Sequence, residues 1–230
     1  MKFKLGELFC GPGGIAWGAM NAKIKDKSFS IIHQWANDYD KDTCDTYRYN
    51  ICPKVPKTVY HEDIRKLDMT KLKPIDALAF GFPCNDYSIV GEQKGMDGIY
   101  GPLYSYGVKA LNLFNPQWFL AENVGGLRNA NDGKAFVKIL DELRNAGING
   151  YKITPHLYKF EEYGIPQARH RIIIIGIRND INVTYKVPSP APYSGIDNTC
   201  KTAIEVPPIP DDAFNNERTK QSDWAFLLLG

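Results

Sequence analysis

The chain has 230 residues, enough for one hydrophobic core of ordinary domain size and little more. Hydrophobic residues make up 43% and charged residues 23%, as in a typical globular domain, and no stretch approaches the roughly 20 apolar residues of a membrane helix. A formal net charge of +2 gives no case for a nucleic-acid partner by itself and permits only a local basic groove. The first residues, MKFKLGELFCG, lack the apolar run and small-residue cleavage site of a secretory signal, so a cytoplasmic protein is expected, or a nuclear one in a eukaryote. The cysteines, at 10, 44, 52, 84 and 200, are irregularly spaced and form no CxxC pair or Cys/His cluster. Reduced, separate thiols are expected, and no metal.

Strand and helix patterns alternate along the chain. Residues 4–9 form a short apolar run that ends in Gly11-Pro12-Gly13-Gly14, and Ile15, Ala19 and Met20 follow at helical spacing. Residues 29–37 read as a second strand, 40–50 as a helix, and 58–60 as a short third strand. Residues 75–81 are a buried strand running into Pro83-Cys84, and the glycine-rich stretch 84–102 is predicted to be a long loop, functional or disordered. A helix is predicted over 103–114, a buried strand over 117–121 stopped by Glu122-Asn123, and a helix over 133–145 ended by Gly147. Strands over 151–160 and 172–177 complete the set. The pattern predicts an α/β fold with a mostly parallel sheet and helices on both faces. From Val187 onward prolines interrupt any regular element, with a short helix expected from Glu217. The expected division is therefore an α/β domain over 1–186 and a Pro-rich connection over 187–230.

Gly11-Pro12-Gly13-Gly14-Ile15-Ala16 fits a Gly-x-Gly-x-x-Ala turn between a strand and a helix. Glycines there let the backbone approach a ligand, although a plain tight turn has the same signature. Asp38 ends the second strand, where an acid can take both ribose hydroxyls of a nucleoside; the plainer role is a helix N-cap. Tyr39 beside it can stack on adenine. Asp63-Ile64 after the third strand can accept from the adenine amino group. A nucleoside cofactor is expected, but these residues do not separate NAD from S-adenosylmethionine.

Cys84 lies directly after a buried strand, at the sheet edge where open α/β sheets bind ligands. A thiol of ordinary pKa is only a few per cent thiolate at neutral pH and needs a nearby positive charge to act. Taken singly it reads as a structural thiol. Glu122 ends another buried strand, where a carboxyl costs desolvation energy unless it is bound or protonated; an exposed turn acid is the plainer reading. Arg169 and Arg171 alternate on one face of an extended segment, as they also would on a solvated edge.

PCNDYS, ENV and QARHR, following FCGPGG in this order, resemble the catalytic core of the cytosine-5 DNA methyltransferases. WANDYDK, EDI, GPLY and FEEYGIPQARHR are also similar to the family, so that the resemblance spans residues 3–178. It implies a Rossmann-like fold that binds S-adenosyl-L-methionine and releases S-adenosyl-L-homocysteine, with duplex DNA as the partner. Cys84 would attack carbon 6 of cytosine, Glu122 would hold or protonate ring nitrogen 3, and Arg171 with Arg169 would orient the base and supply positive charge. Asn123 would support the backbone of the site. Phe9, Gly11, Pro12 and Gly14 would face the methionine and ribose of the cofactor, Asp38 and Tyr39 the ribose and adenine, and Asp63 and Ile64 the adenine. Gly81, Pro83 and Leu103 would complete the wall. The target base would have to flip out of the duplex, with the loop 84–102 closing over it and Ser88, Gln93 and Lys94 touching DNA.

The sequence departs from the family pattern at Asn85, where glutamine is usual, and at Tyr87, where phenylalanine is usual; the amide and the ring survive both changes. The chain also stops near where the family's target-recognition region begins. Two explanations are carried forward: a fragment, or one subunit of a split enzyme whose second subunit supplies target recognition. Either implies poor or absent activity of this chain alone. The rival functions are an RNA cytosine-5 methyltransferase and a non-catalytic S-adenosylmethionine- or DNA-binding subunit. The retained Cys84, Glu122 and Arg171 disfavour the second of these. An NAD-dependent dehydrogenase would leave those three residues without a role.

Overall fold

A computed structural model of the chain describes residues 1–24, 28–83, 103–196 and 199. The expected elements are present, in the order β1 (Lys2–Leu8), α1 (Gly14–Met20), β2 (Ser30–Asp38), α2 (Lys41–Asn50), β3 (Val59–His61), β4 (Ala77–Gly81), α3 (Tyr104–Phe114), β5 (Trp118–Val124), α4 (Lys134–Arg144), β6 (Tyr151–Lys159) and β7 (His170–Arg178). The seven strands form one sheet in the order β3-β2-β1-β4-β5-β7-β6. β1 to β5 pair in parallel, and β7 joins β5 antiparallel. The loop 84–102 and the helix expected from Glu217 lie outside the described residues.

Strand periodicity distributes side chains between two apolar layers. In β4, Leu78 and Phe80 enter a core with Phe119 of β5, Leu111 of α3 and Ile139 and Leu143 of α4. The alternate residues Ala77 and Ala79 enter a second core with Leu5 of β1, Ala16 of α1 and Cys44 and Tyr47 of α2. Both faces are thus covered by helices, as parallel strands with near-continuous apolar sequence require. Burial alternates strictly along β5, with Phe119, Ala121 and Asn123 on the covered face. That strand runs on through Val124, beyond the stop expected at Glu122-Asn123, because Asn123 replaces an apolar core residue with an amide whose hydrogen bonds are satisfied locally.

The chain order runs outward from β1 through β2 to β3, then returns to β4 beside β1 and proceeds the other way. β1 and β4 therefore flank the point where the strand order reverses, the place where open α/β sheets leave a crevice at their carboxyl ends. The loops that emerge there begin at Phe9 and at Phe82, the two segments whose sequences carry the glycine turn and the Pro-Cys turn.

The contacts divide the chain into two compact units, one formed by Met1–Tyr158 with His170–Val187 and the other by Lys159–Arg169 with the chain from Pro188. In the second unit Tyr163 donates to the Pro188 carbonyl at 3.0 Å and packs near Tyr193, which tethers the Pro-rich segment. No helix among the described residues is long and apolar enough to cross a membrane.

Candidate active site

The turn after β1 is built from backbone conformation. Phe9, Gly11 and Gly13 all have positive φ, at 54°, 51° and 99°. At Gly13 a Cβ would stand 2.7 Å from Ile51 Cγ1 and 3.0 Å from Tyr47 Cδ2, so both its dihedral and its packing demand glycine. The Gly11 amide donates to Asp38 Oδ2 at 2.8 Å, and the Asp40 amide donates to Asp38 Oδ1 at 3.0 Å. Asp38 thus ties the glycine turn to the end of β2. The helix N-cap belongs to Asp40, whose carboxylate accepts from the Thr43 amide at 2.8 Å.

Beside this turn lies a pocket lined by Phe9, Asn37, Tyr39, Asp63, Ile64, Arg65, Pro83 and Leu103. Its wall is mostly apolar, with one exposed ring, Tyr39, and one carboxylate, Asp63. That composition fits a nucleoside: apolar walls for the base and a few placed polar groups. Arg65 holds Asp63 through its Nε, 2.9 Å from Oδ1, and the resulting bonds push the Asp63 carboxyl down to about 2. The carboxylate is therefore ionised and fixed. Asp38, Gly11, Pro12, Gly14 and Gly81 do not line this pocket as the expected residues Phe9, Tyr39, Asp63, Ile64, Pro83 and Leu103 do.

Two lining residues were not anticipated. Arg65 directly follows Asp63-Ile64, and an arginine two residues from an acid was a readable signal for a clamp. Asn37 is buried, and its amide donates to the Tyr60 and Glu62 carbonyls at 2.9 and 2.8 Å, which fastens β2 to the segment after β3. Only an unusual buried amide at the end of an apolar strand marked it in the sequence.

The second cluster stands on β5 and β7. Glu122 and Val124 share a face of β5, and Arg171 pairs opposite Val124 across the antiparallel ladder. Arg171 is therefore a diagonal neighbour of Glu122, within reach of a long side chain. Its Nε lies 2.9 Å from Glu122 Oε1, with the two side chains 20% and 26% exposed. On the other side Glu122 pairs with Gly81, and a Cβ there would come within 3.3 Å of Glu122 Oε2. The missing side chain at the end of β4 leaves the carboxylate open toward that strand. Asn123, on the opposite face, donates from Nδ2 to the Phe82 carbonyl at 3.2 Å and fixes the backbone one residue before Pro83. Arg169 is exposed and immediately precedes β7, with its carbonyl accepting from the Phe160 amide at 3.1 Å. Cys84, Ser88, Gln93 and Lys94 lie outside the described residues; Cys84 directly follows Pro83, a pocket-lining residue.

The carboxylate–guanidinium pair of Glu122 and Arg171 thus stands one strand from the Gly81-Phe82-Pro83 turn, whose Pro83 lines the pocket. The model of the C-5 cytosine-specific DNA methylases matches residues 3–224, and the chain belongs to that family. Among curated relatives, the type II methyltransferase M.BbvI of Brevibacillus brevis is 57% identical over 238 residues, covering 100% of this chain and 63% of the relative. M.NgoFVII of Neisseria gonorrhoeae is 34% identical, covering 99% of this chain and 59% of that protein. The chain thus spans about three fifths of these relatives. Each of them carries the matched region within one longer chain, which gives no support to a separately encoded second subunit. The solved structure of Schizosaccharomyces pombe Dnmt2 methyltransferase superposes with a TM-score of 0.57 at 19% identity, covering 94% of this chain and 59% of that one. A putative prophage-encoded DNA modification methyltransferase of E. coli does so with a TM-score of 0.59 at 24% identity, covering 80% and 49%. These structural likenesses establish a shared Rossmann-like fold.

Proposed function

We propose that this chain carries the catalytic and cofactor-binding machinery for transferring a methyl group from S-adenosyl-L-methionine to carbon 5 of a cytosine flipped out of duplex DNA. The observation that carries the reading is the Glu122–Arg171 pair, 2.9 Å apart at the carboxyl rim and one strand from the turn that leads into Cys84.

The bound cofactor supplies an electrophilic methyl group on its sulfonium. Phe9, Ile64, Pro83 and Leu103 form its apolar wall, Tyr39 offers a ring for the adenine, and Asp63, oriented by Arg65, offers an acceptor. Gly11, Pro12 and Gly14 shape the turn that faces the rest of the cofactor. Asp38 acts first through that turn by accepting from the Gly11 amide, and each of its oxygens keeps a second lone pair for a ribose hydroxyl.

At the base, the Cys84 thiolate forms a bond to carbon 6, and the electron pair displaced through the ring is taken up at nitrogen 3 with a proton that Glu122 acquires from solvent on binding the base and recovers when Cys84 is eliminated. Arg171 orients Glu122 and places positive charge where negative charge develops. Carbon 5, now enamine-like, takes the methyl group. A base such as water then removes the carbon 5 proton, the carbon 6–sulfur bond breaks, and Cys84 leaves as thiolate. Asn123 keeps Phe82 in place and so sets where the Pro83-Cys84 turn begins. Ser88, Gln93 and Lys94 are assigned to DNA contacts. The relatives are type II methyltransferases, which supports a bacterial, cytoplasmic modification role.

The test is covalent capture. Duplex DNA carrying 5-fluorocytosine is incubated with S-adenosylmethionine and the chain supplied with a target-recognition region, because fluorine blocks the final proton removal and strands the adduct. A denaturant-stable protein–DNA band that Cys84→Ser abolishes is the expected result, with methyl transfer to ordinary DNA reduced by about 10⁴-fold or more in that variant. If the adduct survives Cys84→Ser, or forms on RNA in preference to DNA, the assignment fails.

A further inference from the structure

Asp63 and Arg65 meet on the wall of the pocket, in the turn that follows β3. The backbone of that turn is held without the Arg65 side chain. The Glu62 amide donates to the Asp38 carbonyl at 3.0 Å, and the Glu62 carbonyl accepts from Asn37 Nδ2 at 2.8 Å. The Asp63 carbonyl accepts from the Lys66 and Leu67 amides at 2.8 and 3.1 Å. Ile64 is buried in the core, and Leu67 packs against that core. The Arg65 amide donates to Asp63 Oδ1 at 2.9 Å, the local turn an aspartate makes with the residue two places on. Residue 63 is thus placed by backbone and core, with one carboxylate oxygen tied by an amide.

The guanidinium fixes what the backbone leaves free. An aspartate carboxylate turns in a broad well about its last side-chain torsion. Arg65 Nε lies 2.9 Å from Oδ1 and 3.0 Å from Oδ2, and Nη2 donates to Oδ2, so the fork spans both oxygens and fixes the carboxylate plane. The amide, Nε and Nη2 of Arg65 together take most of the acceptor capacity of the carboxylate, which is about four sites. The capacity left is on Oδ2, which the Arg65 amide does not reach. The guanidinium is 63% exposed and the carboxylate 27%, so water screens their attraction and the pair contributes little to stability. Its consequence is orientation.

A fixed, ionised carboxylate accepts a hydrogen and has none to give. A purine with an amino group at carbon 6 brings the donor that such an acceptor needs. A purine with a carbonyl at carbon 6 brings a second acceptor, and two acceptors that face each other leave both without a hydrogen. A site built around one placed polar group rejects the ligand that lacks its counterpart far better than an apolar wall can. That discrimination depends on the carboxylate keeping its orientation. A carboxylate free to turn can present its edge to water and tolerate the wrong base.

We propose that Arg65 is a positioning residue that sets the base selectivity of the pocket: its guanidinium fork holds the Asp63 carboxylate in the orientation that accepts from a 6-amino group, so that the pocket takes a 6-aminopurine nucleoside and rejects a 6-oxopurine one. This deepens the reading of the pocket as the S-adenosylmethionine site and rests on it.

The probes are S-adenosylhomocysteine and S-inosylhomocysteine, which carries oxygen in place of the 6-amino group. Each is titrated by calorimetry into the chain supplied with a target-recognition region. The parent protein binds the amino ligand about 100-fold more tightly than the oxo ligand. In Arg65→Ala, affinity for S-adenosylhomocysteine falls about tenfold while affinity for S-inosylhomocysteine holds or rises, so the ratio collapses. Arg65→Lys keeps the charge without the fork and shows the same loss of ratio. In an Asp63→Asn background, Arg65→Ala has no further effect on the ratio, because no carboxylate is left to hold. Equal losses for the two ligands in Arg65→Ala would mean that Arg65 touches the ligand itself or only shapes the turn. Unchanged affinities would mean that the carboxylate needs no fork. Either result overturns the proposal. If Arg65→Ala does not fold, the ratio in Arg65→Lys decides. A parent protein that binds neither ligand refutes the cofactor reading and this assignment with it; one that binds both with a ratio indifferent to Arg65 refutes the assignment alone.

Discussion

The two halves of the sheet rim are built by different physical means. On the β1–β3 side, the site is shaped by backbone: positive φ at Phe9, Gly11 and Gly13, amides held by Asp38, and a carbonyl pair held by Asn37. On the β4–β7 side, it is shaped by side chains that meet across strands, with Glu122 and Arg171 placed by ladder register alone. Binding a whole nucleoside needs a rigid contour, which backbone geometry provides. Proton transfer and charge stabilisation need ionisable groups with room to approach a reacting atom. The difference teaches where a substitution should register: as lost fold and lost cofactor on one side, and as lost chemistry with the fold intact on the other.

The sharpest break of that contrast is at Glu122. Glu122→Gln keeps the shape but removes the transferable proton, and a loss of about 10²–10⁴-fold in methyl transfer is expected. Stability should change by no more than about 1 kcal/mol, because the Arg171 pair is partly solvated and such pairs contribute little. Steady-state rates beside urea unfolding check both halves. A large loss of stability in this variant would mean that the pair is a structural tie, and the contrast between the two sides would disappear.

Gly13→Ala tests the other side. The added methyl meets Ile51 and Tyr47 at 3.0 Å or less, and the residue must keep φ near 99°. Overpacking and backbone strain together are expected to cost about 2–3 kcal/mol, read as a shift in the urea midpoint. S-adenosylhomocysteine affinity should fall with it. Gly11→Ala is the control: its Cβ meets nothing within 4 Å, so only the dihedral cost remains.

The same contrast explains what sequence reading reached. Strand and helix positions were legible because apolar periodicity and the glycine and proline breaks are local signals. Glu122, Arg171 and the glycine turn were legible through their motifs. The diagonal that joins Glu122 to Arg171 was not, since it depends on β5 and β7 running antiparallel in a defined register. Asp38 shows the same limit: its position at a strand end was readable, but its grip on the Gly11 amide follows from β1 and β2 lying side by side. Arg65 was overlooked although it adjoins Asp63, and Glu7 was passed over as one polar letter in an apolar strand. Its hydrogen-bond partner is Tyr47 of α2, so only the packing of α2 on the sheet reveals it.

Glu7 is an ionisable side chain of β1 that is 1% exposed, with the Tyr47 hydroxyl donating to its Oε2 at 3.0 Å. Its folded value of about 8 lies above the ordinary 4.5, so the fold favours the protonated acid. That contribution is complete below pH 4.5, shrinks as the unfolded chain ionises first, and levels off once the folded chain also ionises above about 8. Between pH 7 and 8 the loss should be about 1 kcal/mol. His33 titrates well below this window and does not contribute there, since burial holds it near 4. Urea unfolding of the parent chain and of Glu7→Gln at the two pH values isolates the effect: the parent should lose about 1 kcal/mol more than the variant. Equal losses would mean that Glu7 is already ionised at pH 7, with its carboxylate held by the Tyr47 hydroxyl and the Ala16 amide, both of which favour the charged form.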